Sequence, residues 1–414
     1  MDVVSPAPVA GAAPVRALER SLVFRWSVHA TWVVLLALAT EFRIGRFGFH
    51  PSDQGFILAQ AWRVLNGEVP HADIISARPL GSAVLHVVDF ALPGPLFFAS
   101  SALSMVEIIV ATIAFTALVT RRRVLTWGPG LTALVAAASL INLNAFPLMA
   151  WHTVDGITLT ACGAWALDSG LRSDHALARR AGLLLLGCAA FVKQSFVLAA
   201  VIGAMWLLLH PGGRRWRRLP GDLLALVAGP ALYVTWVSLG GGFAAMVRQL
   251  TGGVPAYGER LLGLWLEDPA LLILPPFREL TFFAAIAVVL LVVRLSGTRL
   301  GVTGHAMSWL LGLGGAAAVV FTVVDGRFTG SSRWADVLWW ILAVSVLLHG
   351  VVRRKVPWAG LLVLATGFMT SLSWGNDTPT LLTGTLALTT LLLVGQILPA
   401  RPRFARRWIT ATAG

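Results

Sequence analysis

A polar loop between the first two apolar segments, residues 52–82, holds the side chains of this chain that are best suited to chemistry. It opens with Asp53 and continues with the acids Glu68 and Asp73 and the base Arg78. Carboxylates can exchange protons with a substrate, and a guanidinium can bind an anion. Because almost everything around this loop is apolar enough to lie in lipid, the loop is the first candidate for a functional site.

The stretch after Ser52 predicts a short amphipathic helix on the membrane surface, and a second short helix is expected near 82–92. Ser52 is a good N-cap, and Asn66 with Gly67 would end the first helix. Asp53 then lies in the first turn, where it either faces a cavity beneath the loop or complements the positive end of the helix dipole. The apolar residues at helical spacing are Ile57, Leu58, Ala61, Trp62, Val64 and Leu65.

Composition places the chain among polytopic membrane proteins. Hydrophobic residues make up 57% and charged residues only 12%, which is what a bundle of membrane helices requires. The net charge of +13 comes from short arginine clusters between apolar runs, a pattern typical of cytoplasmic loops and not of a nucleic-acid surface. Neither Cys162 nor Cys188 has a partner at the spacing of a disulfide framework or a zinc ribbon.

The fold class that this composition predicts is all-α, a transmembrane helix bundle. A crossing needs about 20 apolar residues, and about twelve crossings are expected when one long run is counted as two short helices. The single-crossing runs are 24–42, 95–119, 125–142, 153–170, 221–240, 279–297, 303–323, 335–352, 356–373 and 380–398.

The long run, 181–210, is predicted to be a hairpin. Arginines flank it on both sides, and a hairpin keeps both clusters in the cytoplasm where a single crossing would not. Its natural turn is at Lys193, which leaves arms of roughly 12 and 15 residues that are too short to cross fully. Lys193 would then lie partway down, lining a cavity enclosed by protein, or would extend to the headgroups from a helix end.

Three motifs together resemble the GT-C superfamily of membrane glycosyltransferases, which includes the protein O-mannosyltransferases and the lipid A aminoarabinose transferases. The first is the loop itself, with an acid opening a short helix, an Asn-Gly-Glu-x-Pro turn, Asp73 and a Pro-x-Gly. The second is the segment 151–156 with Asp155 at the outer end of a helix, and the third is 187–194 with Lys193 between two short helices. The resemblance covers roughly the first 210 residues.

The resemblance implies a transferase that moves a sugar from a polyprenyl-phosphate donor to a glycan, lipid or protein acceptor on the outer face of a bacterial plasma membrane. Asp53 matches the position of the catalytic acid and is the candidate general base. The candidate phosphate-binding cations are Lys193, Arg78, Arg327 and Arg333. Candidate residues for binding the donor sugar or the acceptor are Gln54, Glu68, His71, Asp73, His152 and Asp155.

On this interpretation the chain divides into a disordered cytoplasmic tail (1–23), a catalytic transmembrane module (24–210) and a C-terminal helical part (211–414) with an external loop at 241–278. Both termini would be cytoplasmic. The sequence departs from the family at Gln54, where many members have Glu, and at Ala72, where many have a basic residue. These departures bear on how the acceptor is bound.

Two further hypotheses concern metal and transport. His152 and Asp155 share a helix face and could bind a divalent cation together with Glu68 or His71, although an interfacial histidine and a helix-start aspartate explain them as well. Glu107 is alone in the middle of a crossing, which would suit a proton-coupled secondary transporter. A non-catalytic protein that keeps the glycosyltransferase fold is the third alternative.

Overall fold

The computed structural model describes residues 22–44, 53–145, 148–210, 218–252, 332–372 and 378–397. Helix α1 begins at Leu22, so only residues 1–21 of the predicted tail lie outside the described part. The external loop after residue 252, the predicted crossings 279–297 and 303–323, and Arg327 also lie outside it. The backbone of Arg333 is in the first turn of a helix, but its side chain is not described.

The described chain is helical, as predicted, with one isolated bridge between Pro70 and Ile74 as its only extended pairing. Short 3₁₀ segments lie at His86–Ala91 and Gln194–Phe196. The helices are α1 (Leu22–Ile44), α2 (Asp53–Leu65), α3 (Gly81–Leu85), α4 (Leu96–Thr120), α5 (Pro129–Ala145), α6 (His152–Ser173), α7 (Ala176–Val192), α8 (Val197–Leu209), α9 (Leu219–Leu239), α10 (Phe243–Thr251), α11 (Ser332–Arg353), α12 (Trp358–Ser371) and α13 (Thr383–Ile397).

Among the described helices, 4 are long and apolar enough to cross a membrane: α1, α4, α9 and α11. Several others, such as α12 at Trp358–Ser371, are apolar but shorter than a full crossing requires. These lengths agree with a polytopic membrane protein. The count of about twelve crossings stays a prediction.

The first external loop forms the two short helices expected of it. Helix α2 starts at Asp53 and ends at Leu65, and Gly67 follows in the left-handed conformation (φ +87°) that a helix end favours. The buried face contains Ile57, Leu58 and Ala61. Trp62 and Leu65, which were expected on the same stripe, are 52% and 50% exposed, because the packing against α3 covers only one side of the helix.

Helices α7 and α8 form the predicted hairpin. In a straight helix Leu186 and Gly203 would be about 25 Å apart. Instead, Leu186 Cδ1 lies 2.5 Å from where a Cβ atom on Gly203 would be. The chain therefore turns back at Lys193, whose backbone is extended (φ −154°, ψ 132°) between the two helices.

Ion pairs gather at the end of the bundle opposite this turn. There the C-terminal ends of α4 and α6 meet the N-terminal ends of α7 and α9. The pairs are Arg121 and Arg172 with Asp168, Arg179 and Arg180 with Asp222, and Arg218 with Asp174. These five arginines thus share one end, as the positive-inside pattern predicts, whereas Arg63 and Arg78 belong to the polar loop at the other end. Which end faces the cytoplasm stays a prediction.

The other end of the bundle holds the polar loop and the α7–α8 turn. Gln194 in the turn donates from Nε2 to the carbonyl of Ala77 over 2.9 Å. The amide of Leu80 donates to the hydroxyl of Tyr233, near the end of α9, over 3.1 Å. These contacts hold the loop against the ends of three helices, and they position the residues described next.

Candidate functional site

Lys193 lies at the centre of this end of the bundle. Its side chain is buried, and its Nζ atom donates to Thr153 Oγ1, in the first turn of α6, over 3.2 Å. Two charges act on the ammonium: the guanidinium of Arg78 repels it and the carboxylate of Asp53 attracts it. No carboxylate in the described part of the chain lies within ion-pair distance of Lys193.

Arg78 reaches the same place from the polar loop. One of its Nη atoms contacts the Nε2 atom of His152, and the Nδ1 atom of this ring is 3.4 Å away. A guanidinium is always protonated and can only donate, so His152 accepts through a ring nitrogen and is neutral. Burial disfavours a charge on this imidazole, and the neighbouring cations Arg78 and Lys193 repel a proton from it as well. His152 is therefore a neutral spacer between two cations.

Asp53 approaches Lys193 from the start of α2. Its side chain is half-buried, and its carboxylate is near enough to act electrostatically on the lysine. Four predicted site residues, Asp53, Arg78, His152 and Lys193, therefore come together from separate elements of the chain. We call these four residues the cationic pocket.

Gln54 holds α2 in place beside this pocket. It is buried and donates from Nε2 to the Phe97 carbonyl over 2.9 Å and to Ser101 Oγ over 3.0 Å. An amide can donate in this way, whereas an ionised glutamate at the same position could only accept. The contact anchors the start of α2 to α4, so the structure gives Gln54 a positioning role.

Three other candidate residues make contacts within the loop. Glu68 pairs with Arg63 over 2.6 Å, and Asp73 accepts a hydrogen bond from the Val69 amide over 2.7 Å. His71 is buried, and its Nδ1 atom is 2.7 Å from Gln249 Oε1 of α10. Burial lowers the pKa of His71, although the hydrogen bond with Gln249 acts in the opposite direction. These contacts shape the loop and fasten it to α10.

Asp155 belongs to a second group of buried side chains. Although Asp155 and His152 share a helix, Asp155 turns to His86, whose Nε2 atom is 3.2 Å from Asp155 Oδ1. The other ring nitrogen of His86, Nδ1, is 2.8 Å from Asp89 Oδ2. Glu107 in α4 completes this group and acts electrostatically on the other three. We call His86, Asp89, Glu107 and Asp155 the acidic cluster.

The hypothesis of a shared metal ion requires His152 and Asp155 to meet Glu68 or His71, and the described contacts do not bring these side chains together. His152 contacts Arg78, Glu68 pairs with Arg63, and His71 contacts Gln249. The i, i+3 spacing correctly placed His152 and Asp155 on neighbouring positions of one helix, but the elements packed around α6 separate their partners.

Asp155 and Glu107 were predicted from the sequence as candidate functional residues, whereas His86 and Asp89 were not. The signal for these two was a His-x-x-Asp spacing inside an apolar stretch, which puts both side chains on one face of a single turn. Comparisons of the chain with protein-family models, curated proteins and solved structures gave no match.

Proposed function

We propose that this protein is a membrane glycosyltransferase that takes a sugar from a polyprenyl-phosphate carrier. The observation that carries the proposal is the pairing of two cations, Lys193 and Arg78, around the neutral His152 at one end of an apolar bundle. Two like charges at close range repel each other, and a phosphate between them would turn that repulsion into two attractions.

The surroundings of the cationic pocket suit a lipid-linked phosphate. Apolar side chains on α2 and on the 3₁₀ segment after α3 are exposed, among them Phe56, Trp62 and Val88. A polyprenyl chain could lie along such a surface while its phosphate reaches the two cations. A soluble nucleotide sugar would make no use of this apolar surface.

The proposed reaction is a displacement at the anomeric carbon. Asp53 accepts the proton of the acceptor hydroxyl as the oxygen of that hydroxyl bonds to the anomeric carbon. The bond between this carbon and the phosphate oxygen breaks, and polyprenyl phosphate leaves with the electron pair. Arg78 and Lys193 stabilise the charge on the leaving phosphate. In this proposal the pocket faces the outside of the plasma membrane, and the arginine-rich end lies in the cytoplasm.

Binding of the carrier can be tested with purified full-length protein in lipid nanodiscs. We expect undecaprenyl phosphate to bind and undecaprenol, which lacks the phosphate, to bind much more weakly. Lys193→Met and Arg78→Gln should each weaken phosphate binding by about 10- to 100-fold, the contribution of one charge-assisted hydrogen bond. Lys355→Met is the matched control, because Lys355 is the only other lysine and is exposed at the opposite end of the bundle.

Transfer itself can be tested by the release of polyprenyl phosphate from a panel of polyprenyl-phosphate sugars in the presence of envelope acceptors. Asp53→Asn should abolish release while leaving carrier binding intact. Equal binding of the phosphate and the alcohol, or unchanged release by Asp53→Asn, would contradict the proposal.

A proton-coupled transporter is the second candidate, and the observation that favours it is the buried Glu107 beside His86 and Asp155. It predicts proton uptake by proteoliposomes that depends on a solute gradient and is lost in Glu107→Gln. The glycosyltransferase proposal predicts no such uptake.

A further inference from the structure

We propose that the acidic cluster is a binding site for a divalent cation, with His86, Glu107 and Asp155 as ligands and Asp89 as the residue that orients the imidazole. The ligands come from three elements: the 3₁₀ segment after α3, the middle of α4 and the first turn of α6. This inference does not rest on the proposed transferase activity.

The three ligand atoms are already close together. One atom from each of His86, Glu107 and Asp155 lies within 4.8 Å of the other two. His86 Nε2 and Asp155 Oδ1 are 3.2 Å apart, which is about the separation of two ligands that each lie roughly 2.0–2.2 Å from one cation. Closing the site requires a movement of the Glu107 carboxylate on the order of 1 Å, within the reach of its rotatable side chain.

Asp89 prepares His86 for this role. With Asp89 Oδ2 2.8 Å from Nδ1, one ring proton is held on Nδ1, so a cation that displaces the proton on Nε2 would meet a lone pair that faces Asp155. A carboxylate behind a histidine that binds a metal ion is the usual arrangement in such sites, where it fixes the tautomer and the ring orientation. Asp89 is fully buried, so it has no solvent-facing role.

Unpaired atoms in the cluster indicate that a ligand belongs there. Among the described residues, Glu107 Oε2, Asp155 Oδ2 and Asp89 Oδ1 are buried without a hydrogen-bond partner. Buried carboxylate oxygens are nearly always satisfied in folded proteins. The hydroxyls of Ser82, Ser100 and Ser104 are buried and unpaired as well, and Ser100 and Ser104 lie on the same face of α4 as Glu107. They could hold water molecules that complete the coordination of an ion.

The charge of the cluster leads to the same conclusion. If all three carboxylates were ionised beside a protonated imidazole, two negative charges would be uncompensated inside an apolar bundle, which is unfavourable. A divalent cation that replaces the proton on Nε2 would reduce that excess to one. The mixture of one imidazole with carboxylates suits Zn²⁺ or Mn²⁺, whereas Ca²⁺ and Mg²⁺ prefer oxygen ligands alone and Cu⁺ prefers sulfur.

The test uses purified full-length protein that has been stripped of metal with a chelator and then titrated with ZnCl₂ or, separately, with MnCl₂. We expect one bound ion per chain by elemental analysis and calorimetry. Glu107→Gln and Asp155→Asn should each lower the affinity at least 100-fold, and Asp89→Asn should lower it about 10- to 100-fold.

Glu41→Gln is the matched control. Glu41 is also buried with an unpaired oxygen. Unlike Glu107, it has no charged neighbour among the described residues that acts on it. This variant should bind the ion like the unmodified protein. Affinity that is unchanged in both Glu107→Gln and Asp155→Asn would overturn the proposal, and so would an unmodified protein that binds neither ion.

A measurement on the unmodified protein covers the case in which the variants do not fold. The X-ray absorption spectrum of the zinc-loaded protein should show nitrogen and oxygen ligands with a single imidazole. Sulfur ligands, or several imidazoles, would place the ion elsewhere and overturn the assignment.

Discussion

Lys193 donates a hydrogen bond from Nζ to Thr153 Oγ1 over 3.2 Å, and this bond joins the α7–α8 turn to the first turn of α6. A hydroxyl is a weak partner for a buried ammonium, since it offers a lone pair but no charge. The charge of the lysine is therefore not neutralised by a direct ion pair among the described residues. Asp53 attracts the ammonium without contacting it.

Removing the charge of Lys193 should change stability and binding in opposite directions. We expect Lys193→Met to raise the free energy of unfolding by on the order of 1 kcal/mol, because an apolar side chain of similar length needs no charged partner. The same variant should lose affinity for undecaprenyl phosphate. Thermal melts and binding measured on one preparation check both effects, and a destabilised variant would show that the lysine is structural.

Asp222 is the common acceptor of two arginines at the other end of the bundle. Asp222→Asn should lower the free energy of unfolding by about 3–5 kcal/mol, because the buried Arg179 would lose its close carboxylate partner at 2.8 Å and keep only Asp174, at 4.0 Å. Asp174→Asn is the control: Asp174 is partly exposed, its close partner is Arg218 at the surface, and Arg179 is 4.0 Å away and keeps Asp222, so the loss should be below about 1 kcal/mol. Denaturant unfolding in detergent measures both, and equal losses would contradict the distinction.

The fastening of the polar loop to α10 should depend on pH. Burial lowers the pKa of His71 below the ordinary histidine value of 6.5, so the unfolded chain binds a proton that the folded chain resists. Stability is then fully present above that value and decreases as the pH falls below it.

Hydrogen exchange of the loop amides, followed from pH 8 to about pH 5, measures this dependence. Exchange beyond the intrinsic pH effect should increase at low pH in the unmodified protein. His71→Asn is the control, because asparagine does not titrate here and tolerates the positive φ of 67° at this position. The same pH dependence in this variant would exclude His71 as its source.

Two glycines test how closely the helices pack. A Cβ atom on Gly163 of α6 would lie 2.9 Å from the carbonyl oxygen of Gly182 in α7, so Gly163→Ala should cost about 1–3 kcal/mol of unfolding free energy. Gly395 in α13 has no atom within 4 Å of the corresponding point, so Gly395→Ala should be neutral or stabilise by up to about 1 kcal/mol. Unfolding measured on both variants checks the contrast.

Local features of this chain could be predicted from short windows of sequence. Helix α2 begins at Asp53 and ends before Gly67, and the chain turns back at Lys193, both as expected. Capping, glycine conformation and the length of apolar runs act between neighbouring residues, so they can be read without knowing the fold. The face of α2 that is buried was only partly predicted, since Trp62 and Leu65 are exposed.

By itself, the sequence determined that this is a helical protein of membrane character, with a polar loop at its start and a turn at Lys193. Only the tertiary structure decided that Asp155 meets His86 and Glu107, which precede it by 69 and 48 positions, while its neighbour His152 meets Arg78. Helical periodicity states which direction a side chain takes from its own axis. Which partner it finds there depends on how separate helices pack, and that is set by close contacts summed over the whole bundle.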